Sequence, residues 1–209
     1  MKIRLAVFCV LAFLCVSTLR ADNDLRKKAT PAMEVRQVVI GGSKTFTYTH
    51  KNFVLVKEFK LKVPDTYQHN LQLTQFREEN KDNKHYDPML VDEVFAPNVE
   101  QLVPGKTYVV RVFFLTGDGV TNETCKTFAK ESKGISVGPE GLSLVWQHKK
   151  SAFLLETITF SLCKLDLVSQ EGKLILLPSL CPITDTTWFF TILPTNFEAS
   201  YSMLCFYEE

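Results

Sequence analysis

Outside its N-terminal hydrophobic run the chain carries four cysteines, Cys125, Cys163, Cys181 and Cys205, the side chains best suited to covalent or metal chemistry. Tetrahedral zinc takes thiolates in close pairs, whereas these are spaced by 38, 18 and 24 residues with no Cys-x-x-Cys. An even number of cysteines suits two disulfides in an oxidising compartment, and four cysteines allow three connectivities. His50, His69, His85 and His148 form no His-Glu-x-x-His or other ligand spacing, so no metal is expected. Gly105-Lys106-Thr107 ends like a phosphate-binding loop. Glu100, however, stands where that loop needs its first glycine, and Pro104 removes a cradling N–H. Glu78 and Glu79 are adjacent and would point in different directions on a helix, and no Gly-x-Ser-x-Gly elbow occurs. The expectation is a binding protein without a cofactor rather than an enzyme. Asn122-Glu123-Thr124 is the only Asn-x-Ser/Thr sequon and a candidate glycosylation site.

These residues are delivered by an address segment. Lys2 and Arg4 precede the apolar run from Leu5 to Val16, which has the length of a signal-peptide core and is too short to span a membrane. Cleavage is expected between residues 17 and 21, so Cys9 and Cys15 leave with the signal and the mature chain is extracellular. Nothing later approaches membrane-spanning length. The formal charge of +1 is balanced between 24 basic and 23 acidic residues, which argues against a nucleic-acid binder. With 45% hydrophobic residues and sixteen phenylalanines among 209, the chain can build an ordinary core.

Strands dominate the pattern. Phe46 and Tyr48 alternate with threonines; Phe53, Leu55, Phe59, Leu61 and Val63 recur between lysines as in strands with one wet face. Pro64-Asp65 signals a helix over 66–80, with Asp65 as N-cap. The polar stretch 80–88 breaks it, and Leu90, Val91, Val94 and Phe95 lead into a second extended segment. Residues 99–103 and 107–115 read as a hairpin around Pro104-Gly105. Later strands are predicted over 142–146, 153–165, 174–177, 187–193 and 200–207. One helix ahead of many strands implies an α+β fold, with an antiparallel sheet wrapped around the helix, and the alternative is an all-β sandwich. Residues 22–43 form an N-terminal segment and 44–209 a single domain, with a strand extension at its start and a long insertion.

The run Leu71-Gln-Leu-Thr-Gln-Phe76-Arg-Glu-Glu-Asn80-Lys81, followed by Leu90-Val91 and by Gln101-Leu-Val103-Pro-Gly105-Lys-Thr-Tyr108, resembles the cystatins. That resemblance implies a reversible, steric inhibitor of papain-like cysteine proteases. Gln101, Val103, Gly105 and Tyr108 match the family's central hairpin pattern, and all four cysteines follow it in the order found in secreted members. Trp188, between Cys181 and Cys205, corresponds to the family's tryptophan hairpin, although Thr187 precedes it where a proline is usual. Gly41-Gly42 are similar to the N-terminal inhibitory glycine. The resemblance further implies pairing of Cys125 with Cys163 and of Cys181 with Cys205.

The residues of the central loop support such a role on physical grounds. Gly105 permits the positive φ of a tight turn and Pro104 fixes its own φ, so Leu102-Val103-Pro104-Gly105 would be a stiff apolar tip. Such a tip loses little entropy on entering a cleft. Gln101 to Gly105 are therefore expected to contact the protease centrally, with Trp188 as a second edge and Gly41-Gly42 as a third. The alternative is a secreted β-rich binding protein for a small apolar ligand or a protein partner, in which 126–151 makes a pocket or interface.

Overall fold

The computed structural model describes residues 52–83, 85–116, 120–155, 157–168, 175–184, 187–194, 197 and 200–209. The signal segment expected over 1–21, Gly41, Gly42 and the segment around Phe46 and Tyr48 lie outside them. The chain divides into two units, Met1–Thr49 and His50–Glu209, and the described residues belong to the second.

The alternating stretch after Asn52 forms β1 (Phe53–Lys62), which pairs antiparallel with β2 (Thr107–Leu115). A register irregularity falls at Val56, between Leu55 and Lys57. β7 (Tyr201–Glu208) takes the other side of β2, and β3 (Ile158–Phe160) lies beyond it. β5 (Ile175–Pro182) pairs with β3, with β4 (Leu167–Val168) and with β6 (Trp188–Pro194). The sheet is not wholly antiparallel as expected, because β7 inserts between β2 and β3. Running antiparallel to β2, it runs parallel to β3.

Among the described residues four α-helices accompany this sheet: α1 (Gln72–Glu79), α2 (Asp92–Phe95), α3 (Asn122–Glu131) and α4 (Gly138–Lys149). The fold is thus α+β, and helices on both faces rule out the all-β sandwich. α1 is shorter than the helix expected over 66–80; a 3-10 turn, His69–Leu71, leads into it. Its Phe76 is fully buried, with ring centroids 5.5 Å from both Trp188 and Phe190. Leu90, Val91, Val94 and Phe95 do not lead into a strand, since Asp92–Phe95 is helical.

The largest departure from the sequence reading is at 142–146, which is the middle of α4 and not a strand. A short apolar run has the same composition in a buried strand and in a buried helix, and here every residue from Gly138 to Trp146 is buried. Pro139 in the first turn, with its φ preset for a helix, starts the element. A Cβ on Gly141 would come 2.2 Å from Val137 Cγ2 and 3.2 Å from Phe206 Cε2, so glycine lets α4 sit close on β7. α4 is embedded in the main core alongside Val110, Val112, Leu180, Leu204 and Phe206, and the same core holds Leu73 and Phe76 of α1. Thr121 caps α3 by accepting the Thr124 N–H at 3.1 Å. α3 covers the opposite sheet face, where the Phe128 ring stacks 4.2 Å from Phe53 and lies edge-on 4.9 Å from Phe113.

Candidate functional site

Residues 99–103 form no strand, so Pro104-Gly105 does not close a hairpin with them. The partner of β2 is β1, and two hydrogen bonds carry that pairing into the turn: Val63 N–H to Lys106 C=O at 2.9 Å and Gly105 N–H to Val63 C=O at 3.0 Å. The turn itself is closed by Lys106 N–H donating to Val103 C=O at 3.2 Å. Gly105 has φ +75°, as the second central residue of a type II turn requires. The Tyr108 hydroxyl accepts the Val103 N–H at 3.1 Å, and Leu102, 1% exposed, anchors the loop from below. Val103 is 52% exposed, and Gln101 and Pro104 are exposed beside it. The result is an apolar tip held on both sides by the backbone ladder and a phenol.

A second loop flanks this tip, and the sequence reading missed it. Asp65 Oδ1 lies 2.6 Å from where a Cβ on Gly105 would stand, so Val63–Pro64–Asp65 is the immediate neighbour of the turn. Asp65 is not the N-cap of α1, which begins seven residues later. Around the two loops Lys62 pairs with Asp65 at 3.2 Å and Lys106 with Glu208 at 2.7 Å. The hydrogen bond to Glu208 raises the Lys106 pKa.

Trp188 does not join them. Its ring is 6% exposed and lies 5.2 Å from Trp146 in the core. Four strand spacings and eight residues of register separate it from Tyr108, roughly 30 Å at the usual spacings of a sheet. The turn and Trp188 stand at opposite ends of the sheet, so they cannot form adjacent edges of one wedge. The 126–151 segment supplies the end of α3 and the buried helix α4, and its Trp146, Gln147 and Lys150 line a small hollow with Glu79 and Asn80.

Cys125, Cys163, Cys181 and Cys205 are in the thiol form, and all four are buried. Burial raises the thiol pKa of Cys125 and Cys163, and that of Cys205 to about 12, which makes them poor nucleophiles. Ile158 stands opposite Tyr201, the β3–β5 register continued one residue past Thr159 and Leu180 sets Cys181 on its other side, and Cys205 is four residues farther along β7. Crossing β3 and that offset amounts to roughly 16 Å, against a limit of about 7 Å for a disulfide. The pairing of Cys181 with Cys205 is therefore excluded by strand register. Asn122 is 4% exposed and its Nδ2 donates to Asp166 Oδ1 at 2.8 Å, so a glycan there would have to displace Asp166 and turn the side chain out.

Buried polar groups collect where α4 begins. Glu140 is 1% exposed, and neither carboxylate oxygen has a hydrogen-bond partner among the described residues. Burial pushes its carboxyl up to about 8, and the Asp92 charge adds to the rise. Tyr67 donates to or accepts from His69 Nδ1 at 2.9 Å, and His69 Nε2 lies 3.2 Å from the Ala96 carbonyl oxygen. Burial lowers the His69 pKa. A separate hollow of about 430 Å³ opens between the end of α1 and the start of β6, lined by Glu79, Asn80, Asp82, Asn83, His85, Thr187 and Trp188. Its lining is too polar to suit an apolar ligand. Among the described residues no cluster of His, Cys, Asp and Glu is arranged to hold a metal, and no helix is long and apolar enough to cross a membrane.

No family model, no curated protein and no solved structure matches this chain.

Proposed function

We propose that this chain is a secreted, non-covalent protein-binding protein that occludes the active-site cleft of a papain-like cysteine protease with the tip formed by residues 103–105. The observation that carries this reading is Val103, half-exposed on a turn whose shape is set before binding by Gly105 and by the Tyr108 hydroxyl. An apolar contact pre-formed in this way keeps most of its burial energy as affinity, because little conformational freedom is lost. The resemblance to cystatins in the residues around this turn supplies the partner class and the cystatin-like character of the fold. Trp188 has no part in the contact; the Pro64-Asp65 loop takes the place of the second edge. The leader over residues 1–21 supports export. Titrating papain with the purified chain tests the proposal. The expected result is stoichiometric, reversible loss of peptide hydrolysis, relieved by competing papain whose active-site thiol has been alkylated. Absence of inhibition at micromolar concentration overturns it.

A second reading, a binding protein without inhibitory activity, is supported by the hollow beside Trp188. Its amides and carboxylates suit a small polar ligand, and binding there would leave papain untouched.

A further inference from the structure

We propose that Cys125 and Cys205 are a disulfide pair that fastens α3 to β7. The path of α3 across the sheet brings them together. At its first turn Asn122 donates to Asp166 at 2.8 Å and Lys126 pairs with the same carboxylate at 2.6 Å, and Asp166 immediately precedes β4 in the lane that continues β3. One turn farther on, Phe128 rests on Phe113 of β2 and Phe53 of β1. β7 is the strand between β2 and β3, so Cys125, midway between Asn122 and Phe128 and pointing inward, lies above β7.

The residue beneath it is set by register. Met203, Cys205 and Tyr207 alternate with Leu204 and Phe206, which belong to the core on the α4 side, and therefore face α3. Met203 stands opposite Phe113, the ring that Phe128 covers, and the Tyr207 hydroxyl lies 3.0 Å from Ser132 Oγ. Cys205 is bracketed by these two contacts of α3. A Cβ on Gly134, just after the helix, would come 3.5 Å from Cys205 Cβ, which shows how closely the segment descends on this strand. Cys125 and Cys205 are 0% and 2% exposed, and a charge on Cys205 contributes to the raised pKa of Cys125, as neighbouring thiols do.

The remaining pairings are poorer. Cys181 is held away from Cys205 by β3. Cys163 packs in the core on the α4 side, its Sγ 3.3 Å from where a Cβ on Gly138 would stand, whereas Cys125 faces the sheet from the α3 side. Oxidation removes two protons and two electrons from the two thiols. A donor disulfide of the glutathione class accepts the electrons. One thiolate opens the donor S–S bond to a mixed disulfide, the second displaces the remaining donor thiolate, and the donor leaves as two thiols. Because both groups are closed to solvent in the folded chain, the bond forms during folding and resists reduction afterwards.

The test is refolding of the reduced full chain in a mixture of reduced and oxidised glutathione, followed by alkylation and peptide mapping without reduction. A peptide joining Cys125 to Cys205 is expected; Cys125→Ser and Cys205→Ser should each abolish it, and Cys163→Ser should leave it in place. Any other partner for either cysteine in the refolded wild type, or alkylation of both, overturns the proposal. This result does not depend on protease inhibition.

Discussion

The carboxylate of Asp92 caps a helix that begins twenty residues earlier in the chain: it accepts the Leu73 N–H at 2.9 Å. It also accepts the Thr74 N–H at 2.9 Å and the Thr74 hydroxyl at 2.7 Å, while Leu71, at the head of α1, provides no side-chain cap. One buried side chain thus holds two helices in register. Hydrogen bonds to a charged group contribute about 1.5–3 kcal/mol each and are not additive, so Asp92→Ala should cost about 2–4 kcal/mol. Glu93→Ala, at the exposed neighbour, should change stability by less than about 0.5 kcal/mol. Urea midpoints measure both, and equal effects would remove Asp92 from this role.

Glu140 should make stability fall as pH rises. Its folded pKa, about 8, lies above the ordinary carboxylate value of 4.5, so between these the folded state holds a proton that the unfolded state has lost. The contribution is complete below pH 4.5 and is lost as pH climbs towards 8, at about 1.4 kcal/mol per pH unit. Glu140→Gln keeps the shape and removes the titration. At pH 7 the variant should be more stable than wild type by about 3 kcal/mol, and the two should converge near pH 4.5. Denaturation midpoints across this range that run parallel for the two proteins would contradict the assignment.

Val103 and Trp188 should separate binding from folding. Val103→Asp places a charge on the exposed tip; it should lower papain affinity by about 100-fold or more while moving stability by less than about 0.5 kcal/mol. Trp188→Ala should do the reverse, costing about 3–5 kcal/mol of stability because the ring is buried between Phe76 and Trp146. Gly105→Asp is a less clean probe. It strains a residue at φ +75° and sets a carboxylate beside Asp65, so both readouts should fall. Inhibition constants and thermal midpoints on the same preparations decide among these outcomes.

Asn122 should carry no glycan in the folded, secreted chain. Its amide is committed to Asp166, and the residue fills the first turn of α3. Intact masses before and after peptide N-glycosidase treatment of material from a eukaryotic host should agree; a mass loss on treatment would show that the side chain turns out.

How far the sequence reading reached depends on which physical signal each segment carries. β1, β2, β6 and β7 were legible because their apolar residues alternate or run together beside polar turns, and the turn at Pro104-Gly105 announced itself through the φ preferences of those two residues. α4 was misread because Leu142, Leu144 and Trp146 alternate around Ser143 as in a strand, while the burial of every residue in the run leaves no polar helix face to give it away; Pro139 followed by Glu140 was the usable start signal. The hairpin over 99–103 failed for a different reason. Which strand pairs with β2 is a non-local choice, won by the longer alternating segment at 53–62. The same non-locality hid the site's geometry: Asp65 beside Gly105, and Trp188 at the far end of the sheet, follow from strand order, which no local pattern encodes.

The place of β7 in the sheet has a consequence for biosynthesis. It leaves the ribosome after every other described strand, yet it fills the gap between β2 and β3. Until it arrives, the nascent chain holds two separate ribbons, β1 with β2 and β3 with β4, β5 and β6, each with an open backbone edge. Joining them requires contacts between residues about a hundred positions apart, a loop closure that slows folding. The sheet can thus close only after β7 has been made, and the chain depends on protection of those two edges in the interval.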